Sequence, residues 1–95
     1  MAKVIWSDHA LDDIEQISEY ICKDSAERAS LFVSRLIDAA EQMAAFPNSG
    51  RIIPEIEKDE YRETVYGSYR IMYKVVEHGI ILLAVVHGVR DWKPK

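Results

Sequence analysis

Over residues 8–24 the apolar positions return every third or fourth residue, so that Ala10, Ile14, Ile17 and Ile21 stack on one face of a helix. Asp8, Asp12, Glu15 and Glu19 repeat this spacing two positions out of phase. At about 100° per residue the centres of the two stripes lie roughly 160° apart, so the acid faces away from the core as a solvated face. Lys3–Trp6 is a short β-prone run, and Ser7 and Asp8 after it offer oxygens to the free N–H groups of a helix start. Ser25 caps a second predicted helix, in which Ala29, Phe32, Val33, Leu36, Ile37, Ala40, Met43 and Ala44 form a broad apolar stripe. Phe46-Pro47-Asn48-Ser49-Gly50 ends it. With only Lys23-Asp24-Ser25 between them, the two helices are expected to pack as an antiparallel hairpin.

After Gly50 the period changes. Residues 61–66, 69–77 and 80–88 read as strands separated by the two-residue turns Gly67-Ser68 and His78-Gly79, while IIPEIEKDE (52–60) reads as an exposed connection. The predicted order is β-α-α-β-β-β: an α+β fold with the helical hairpin on one face of a mainly antiparallel sheet. A chain of 95 residues buries only about 60–65% of its unfolded surface, which predicts one domain over 1–95.

Two-residue turns also predict a register. Val65 falls opposite Arg70, Glu63 opposite Met72, Met72 opposite Val85 and Arg70 opposite His87. One face then carries Tyr69, Ile71, Tyr73, Val75, Ile80, Leu82, Ala84 and Val86, and receives the helices. The other carries Tyr61, Glu63, Arg70, Met72, Lys74, Leu83, Val85 and His87. On it Arg70 and His87 are expected to be cross-strand neighbours about 5 Å apart at Cβ, with Glu63 diagonal to Arg70. A guanidinium fork holds phosphate, a histidine moves protons near neutral pH, and a carboxylate orients either, so the cluster suits phosphodiester chemistry. The alternative is a solubilising strand face whose charge pairs add only about 0.2–1 kcal/mol each. A bulge that shifts the pairing by one residue would disperse the cluster. His78 reads as a turn residue and His9 as a helix-surface residue.

Composition narrows the chemistry. The net charge of −4 is unlike the basic stripe of a nucleic-acid-coating protein, although residues 1–50 sum to −5 and residues 51–95 to +1. The lone Cys22 forms no internal disulfide and has no metal-ligand spacing around it. No glycine-rich phosphate loop and no G-x-S-x-G elbow occurs, so no metal or cofactor is expected. The N-terminus lacks a signal-peptide pattern and the longest apolar run is far short of the roughly 20 residues of a membrane span, which predicts a cytoplasmic protein with no membrane partner.

The segments ALDDIEQISEYI, AAFPNSGRIIPE, YRETVYGSYRIMYKV and VVHGVRDW, in this order and spacing, resemble the RelE/ParE superfamily of toxins from type II toxin-antitoxin modules, often labelled plasmid stabilisation proteins. The resemblance implies a growth-arresting toxin neutralised by a cognate antitoxin. It offers two targets: ParE-like members poison DNA gyrase, whereas RelE-like members cleave messenger RNA on the ribosome without a metal. Under the RNase reading, Arg70 of YRI-x-Y and Arg90 of H-x-x-R would stabilise phosphorane charge, His87 would be the acid or base, and Glu63 an orienting group. The HGVRDW ending, the FPNSGRIIPE segment and the overall acidity favour the ParE-like reading. The RelE-like RNase is the alternative, and a non-toxic antitoxin-binding relative a second one.

Overall fold

The computed structural model describes residues 2–88. Strand β1 (Lys3–Trp6) leads into helix α1 (Asp8–Cys22), followed by α2 (Ala26–Ala45), a 3-10 turn at Pro47–Ser49, β2 (Arg51–Ile52), β3 (Tyr61–Tyr66), β4 (Tyr69–Val76) and β5 (Gly79–His87). This is the expected α+β order with one addition, the two-residue strand β2. The five strands lie in the order β1-β5-β4-β3-β2, with β1 parallel to β5 and the other pairs antiparallel. Both predicted caps are present: Ser7 Oγ accepts from Ala10 N at 3.0 Å and Ser25 Oγ from Arg28 N at 3.2 Å. Among the described residues no helix is long and apolar enough to cross a membrane.

The helices cover one face of the sheet. Ala10, Leu36, Ala40, Met43 and Ala44 pack there against Ile71, Tyr73, Ile80, Leu82 and Val85. The acidic stripe of α1 points outward, with Asp8, Asp12, Glu15 and Glu19 all exposed. On the opposite face a second, smaller core forms from Ile53, Met72 and Ala84, flanked by Ile56, Tyr61, Leu83 and Val86. The segment 52–60 is therefore not simply an exposed connection. Ile53 is fully buried, and its backbone N–H donates to Tyr61 O at 2.9 Å.

The β3–β4 register is the expected one, with Val65 opposite Arg70 and Glu63 opposite Met72. The β4–β5 register is not. Val76 pairs with Gly79, so the turn is Glu77-His78, with His78 at φ 66°, and Gly79 belongs to the strand. The reason lies in β1: a Cβ on Gly79 would stand 2.0 Å from the Lys3 carbonyl oxygen, so the glycine is spent on the close approach of a parallel strand. This change alone moves the pairing by two residues and keeps every side chain on its predicted face.

The face changes at a bulge. Tyr73 pairs with Leu82 but Met72 with Ala84, leaving Leu83 as the extra residue in β5. The backbone groups freed there are taken up by the start of α1: Val85 N–H donates to Asp13 Oδ2 at 2.9 Å, and Ser7 Oγ donates to Leu83 O at 3.3 Å. Beyond the bulge Ala84 and Val86 turn to the second face, while Val85 and His87 turn to the helix face. Asp13→Ala is expected to leave the Val85 N–H without its acceptor and to lower stability by about 1–3 kcal/mol, read as a shift in the urea midpoint at unchanged slope.

Candidate functional site

Arg70, on the second face near the start of the central strand β4, is the centre of a buried ionic cluster. Its neighbour Glu63 is two residue pairs away on β3, and the diagonal reach expected from the register is realised: Arg70 Nε donates to Glu63 Oε1 at 2.8 Å and Nη2 to the same oxygen at 2.5 Å. Arg51 on β2, paired opposite Glu63, donates Nε to Glu63 Oε2. From the 52–60 segment Glu55 closes the other side, accepting Nη1 at Oε2 (2.8 Å) and Nη2 at Oε1 (2.7 Å). The Glu63 side chain is fully buried, that of Arg70 is 8% exposed, and that of Glu55 24%.

Burial of the Glu63 carboxylate and the Arg70 guanidinium is tolerable because the charges are matched. Arg51 and Arg70 balance Glu55 and Glu63, and no buried side-chain polar atom among the described residues lacks a hydrogen-bond partner. The hydrogen bond to Glu55 outweighs desolvation and, with the contribution of Glu63, holds the Arg70 guanidinium above its ordinary pKa. Arg70 stays cationic at any pH the folded protein meets.

His87 lies elsewhere. It is opposite Tyr69 rather than Arg70, which pairs with Val86, and its ring stands edge-on to Tyr69 at 5.8 Å between centroids. Tyr69 in turn meets Phe32 of α2 at 5.4 Å. The predicted Arg70–His87 pair is thus corrected: the one-residue bulge at Leu83 puts the histidine on the helix face, and the sheet lies between it and the guanidinium. Arg90 falls outside the described residues. Of the predicted site residues, the fold brings Arg70 and Glu63 together and separates both from His87.

Sequence reasoning missed Arg51 and Glu55. The signal for Glu55 was the pair of isoleucines around it: Ile53 and Ile56 are an apolar anchor in an otherwise polar stretch, and such an anchor docks a segment rather than leaving it in solvent. Two further residues complete this end of the sheet. Tyr73 Oη donates to Pro47 O at 2.8 Å and accepts from Gly50 N at 3.1 Å, and burial pushes its pKa up, which keeps it a donor. Arg62 ties the same turn to β3, donating through Nη1 to Gly50 O at 2.9 Å and through Nη2 to Asp59 Oδ1 at 2.6 Å.

Comparison with known proteins agrees with this architecture. Residues 4–92 match the family described as the ParE toxin of the type II toxin-antitoxin system parDE. Toxin RelE2 of Caulobacter vibrioides is 30% identical over 90 residues, covering 95% of this chain and 99% of that protein. Putative toxin Y4kP of Sinorhizobium fredii is 32% identical over 92 residues, covering 95% of this chain and 92% of its own. A solved structure described as the chromosomal ParDE toxin-antitoxin system from P. aeruginosa superposes with a TM-score of 0.73 at 19% identity, covering 92% of this chain and 96% of that one; the likeness is one of fold. With its helical hairpin on a mainly antiparallel sheet and a family match running from β1 past the end of β5, this chain belongs to the ParE toxin family, and is the toxin of a type II module whose other half is an antitoxin.

Proposed function

We propose that this toxin arrests growth by inhibiting DNA gyrase and not by cutting messenger RNA. The observation that carries the reading is the state of Arg70. Metal-free cleavage needs a cation on the phosphorane and an acid or base beside it. Here the guanidinium fork is taken by Glu55 and Glu63, and His87 stands across the sheet from it. An anionic chain also gains little electrostatic attraction to ribosomal RNA. In this reading the ion cluster is structural, and His87 and Arg90 carry no catalytic step. The antitoxin is the protein partner, gyrase the target and the cytoplasm the compartment.

The RNase reading retains one supporting fact, that one relative bears the name Toxin RelE2. The two are separated by purified components. The expected result is inhibition of gyrase supercoiling that His87→Ala leaves within about twofold, with transcripts on ribosomes intact. Ribosome-dependent cleavage of a transcript that is lost in His87→Ala, with supercoiling unaffected by the toxin, would overturn the proposal.

A further inference from the structure

The second face is only half closed. Its core of Ile53, Met72 and Ala84 is fully buried, but the four apolar side chains around that core, Ile56, Tyr61, Leu83 and Val86, are only half-buried, whereas two helices cover the other face. A contiguous apolar rim of this kind marks a surface that something covers. Beside it lies an acidic border. Glu55, Glu57, Asp59 and Glu60 are all exposed, and with Lys58 as the one cation among them they carry a net −3.

The chain leaves the sheet at this place. Val86 pairs with Arg70, whose fork reaches Glu55, and β5 ends one residue later at His87. The residues that follow Gly88 in the sequence, 89–95, read VRDWKPK. Arg90, Lys93 and Lys95 against Asp91 give them a net +2 in a protein whose total is −4, and Trp92 supplies a large apolar ring with one N–H donor. The ring matches the rim and the charge matches its border. Reach does not limit the match: at about 3.3 Å per extended residue, the step from Val86 to Trp92 spans up to about 20 Å, or roughly four strand spacings.

We propose that residues 89–95 are a strap for this face, with Trp92 seated on the rim of Ile56, Tyr61, Leu83 and Val86 and the cations of the strap beside the acids of 55–60. This goes beyond the gyrase reading and does not depend on the target. The docking is in cis: a short tether holds the two surfaces at an effective concentration on the order of mM, so a contact too weak to unite separate molecules is still occupied. Seated there, the strap completes the second core from the chain itself.

The test uses the two tryptophans of the chain. Trp6 packs on the helix face, away from the strap, so Trp6→Phe in the full chain leaves Trp92 as the sole indole, whose quenching by acrylamide is measured without antitoxin. Quenching is expected to be about threefold weaker than that of free N-acetyltryptophanamide, as for a ring held against apolar surface, and independent of protein concentration. Adding Glu57→Lys and Glu60→Lys together is expected to raise it about twofold, since the border then repels the strap. Quenching equal to that of the free compound, or unchanged by the double reversal, overturns the proposal. So does protection that grows with protein concentration, which would make a second copy the occupant, or that appears only once antitoxin is added. Should Trp6→Phe not fold, nuclear Overhauser contacts in wild type decide: the Trp92 ring is expected to contact the methyl groups of Leu83 and Val86, and their absence overturns the strap.

Discussion

Glu63→Ala is expected to destabilise the protein by about 3–5 kcal/mol, because it strips the buried Arg70 guanidinium of the partner beneath it while the charge itself remains. For a chain of this size that corresponds to a fall in melting temperature of well over 10 °C, since each kcal/mol moves it by about 4–8 °C. The cost comes from desolvation, which gives the prediction a second arm. Arg70 with its side chain 8% exposed and Glu63 with none exposed are both out of water, so removing one alone leaves the other buried with its charge only partly compensated. Replacing the two together by apolar residues of similar volume is expected to be milder than either single change. By contrast Arg51, whose side chain is 62% exposed, makes a solvent-screened contact with Glu63, and Arg51→Ala is expected to cost about 1 kcal/mol or less. Denaturant titration of the three variants orders them, and a Glu63→Ala protein as stable as Arg51→Ala would mean that the cluster is not desolvated.

Gly79→Ala is the second large effect, expected to cost about 3 kcal/mol or more. Overpacking in a core is usually relieved by a rotamer change, but the new methyl group would meet backbone: Lys3 O at 2.0 Å, Lys3 C at 2.8 Å and Lys3 N at 2.8 Å. Relief therefore requires β1 to leave β5. The expected signature is local: the Lys3 amide, which donates to His78 O at 2.8 Å, and the Ser7 amide, which donates to Leu82 O at 3.1 Å, lose protection against hydrogen exchange. The β3–β4 amides keep theirs. Uniform loss across the sheet, or none, would show that β1 is not the element displaced.

Both effects concern residues whose type was readable and whose partners were not. Gly79 was legible as a glycine beside a histidine between two apolar runs, which is the usual mark of a turn. Its use against β1 depends on a strand 76 residues earlier in the chain, and no local pattern carries that information. Glu63 and Arg70 were legible as neighbours because a two-residue turn, Gly67-Ser68, separates their strands and fixes the register between them. Glu55 was not, because its approach depends on the docking of Ile53 into the second core.

The helical hairpin, its two serine caps, the outward acidic stripe, the β3–β4 pairing and the toxin family were all legible along the chain. Each follows from periodicity, from side-chain chemistry within a few residues, or from motifs spread in order along the chain. The face that His87 occupies was not legible and depends on packing between distant elements. Alternation has a period of two, so one extra residue reverses everything after it, and Leu83 is extra because the Asp13 carboxylate and Ser7 hydroxyl of another element receive the backbone groups that it frees. The same holds for Arg70: its charge was written in the sequence, but whether that charge met solvent or Glu55 was settled by how the chain packs.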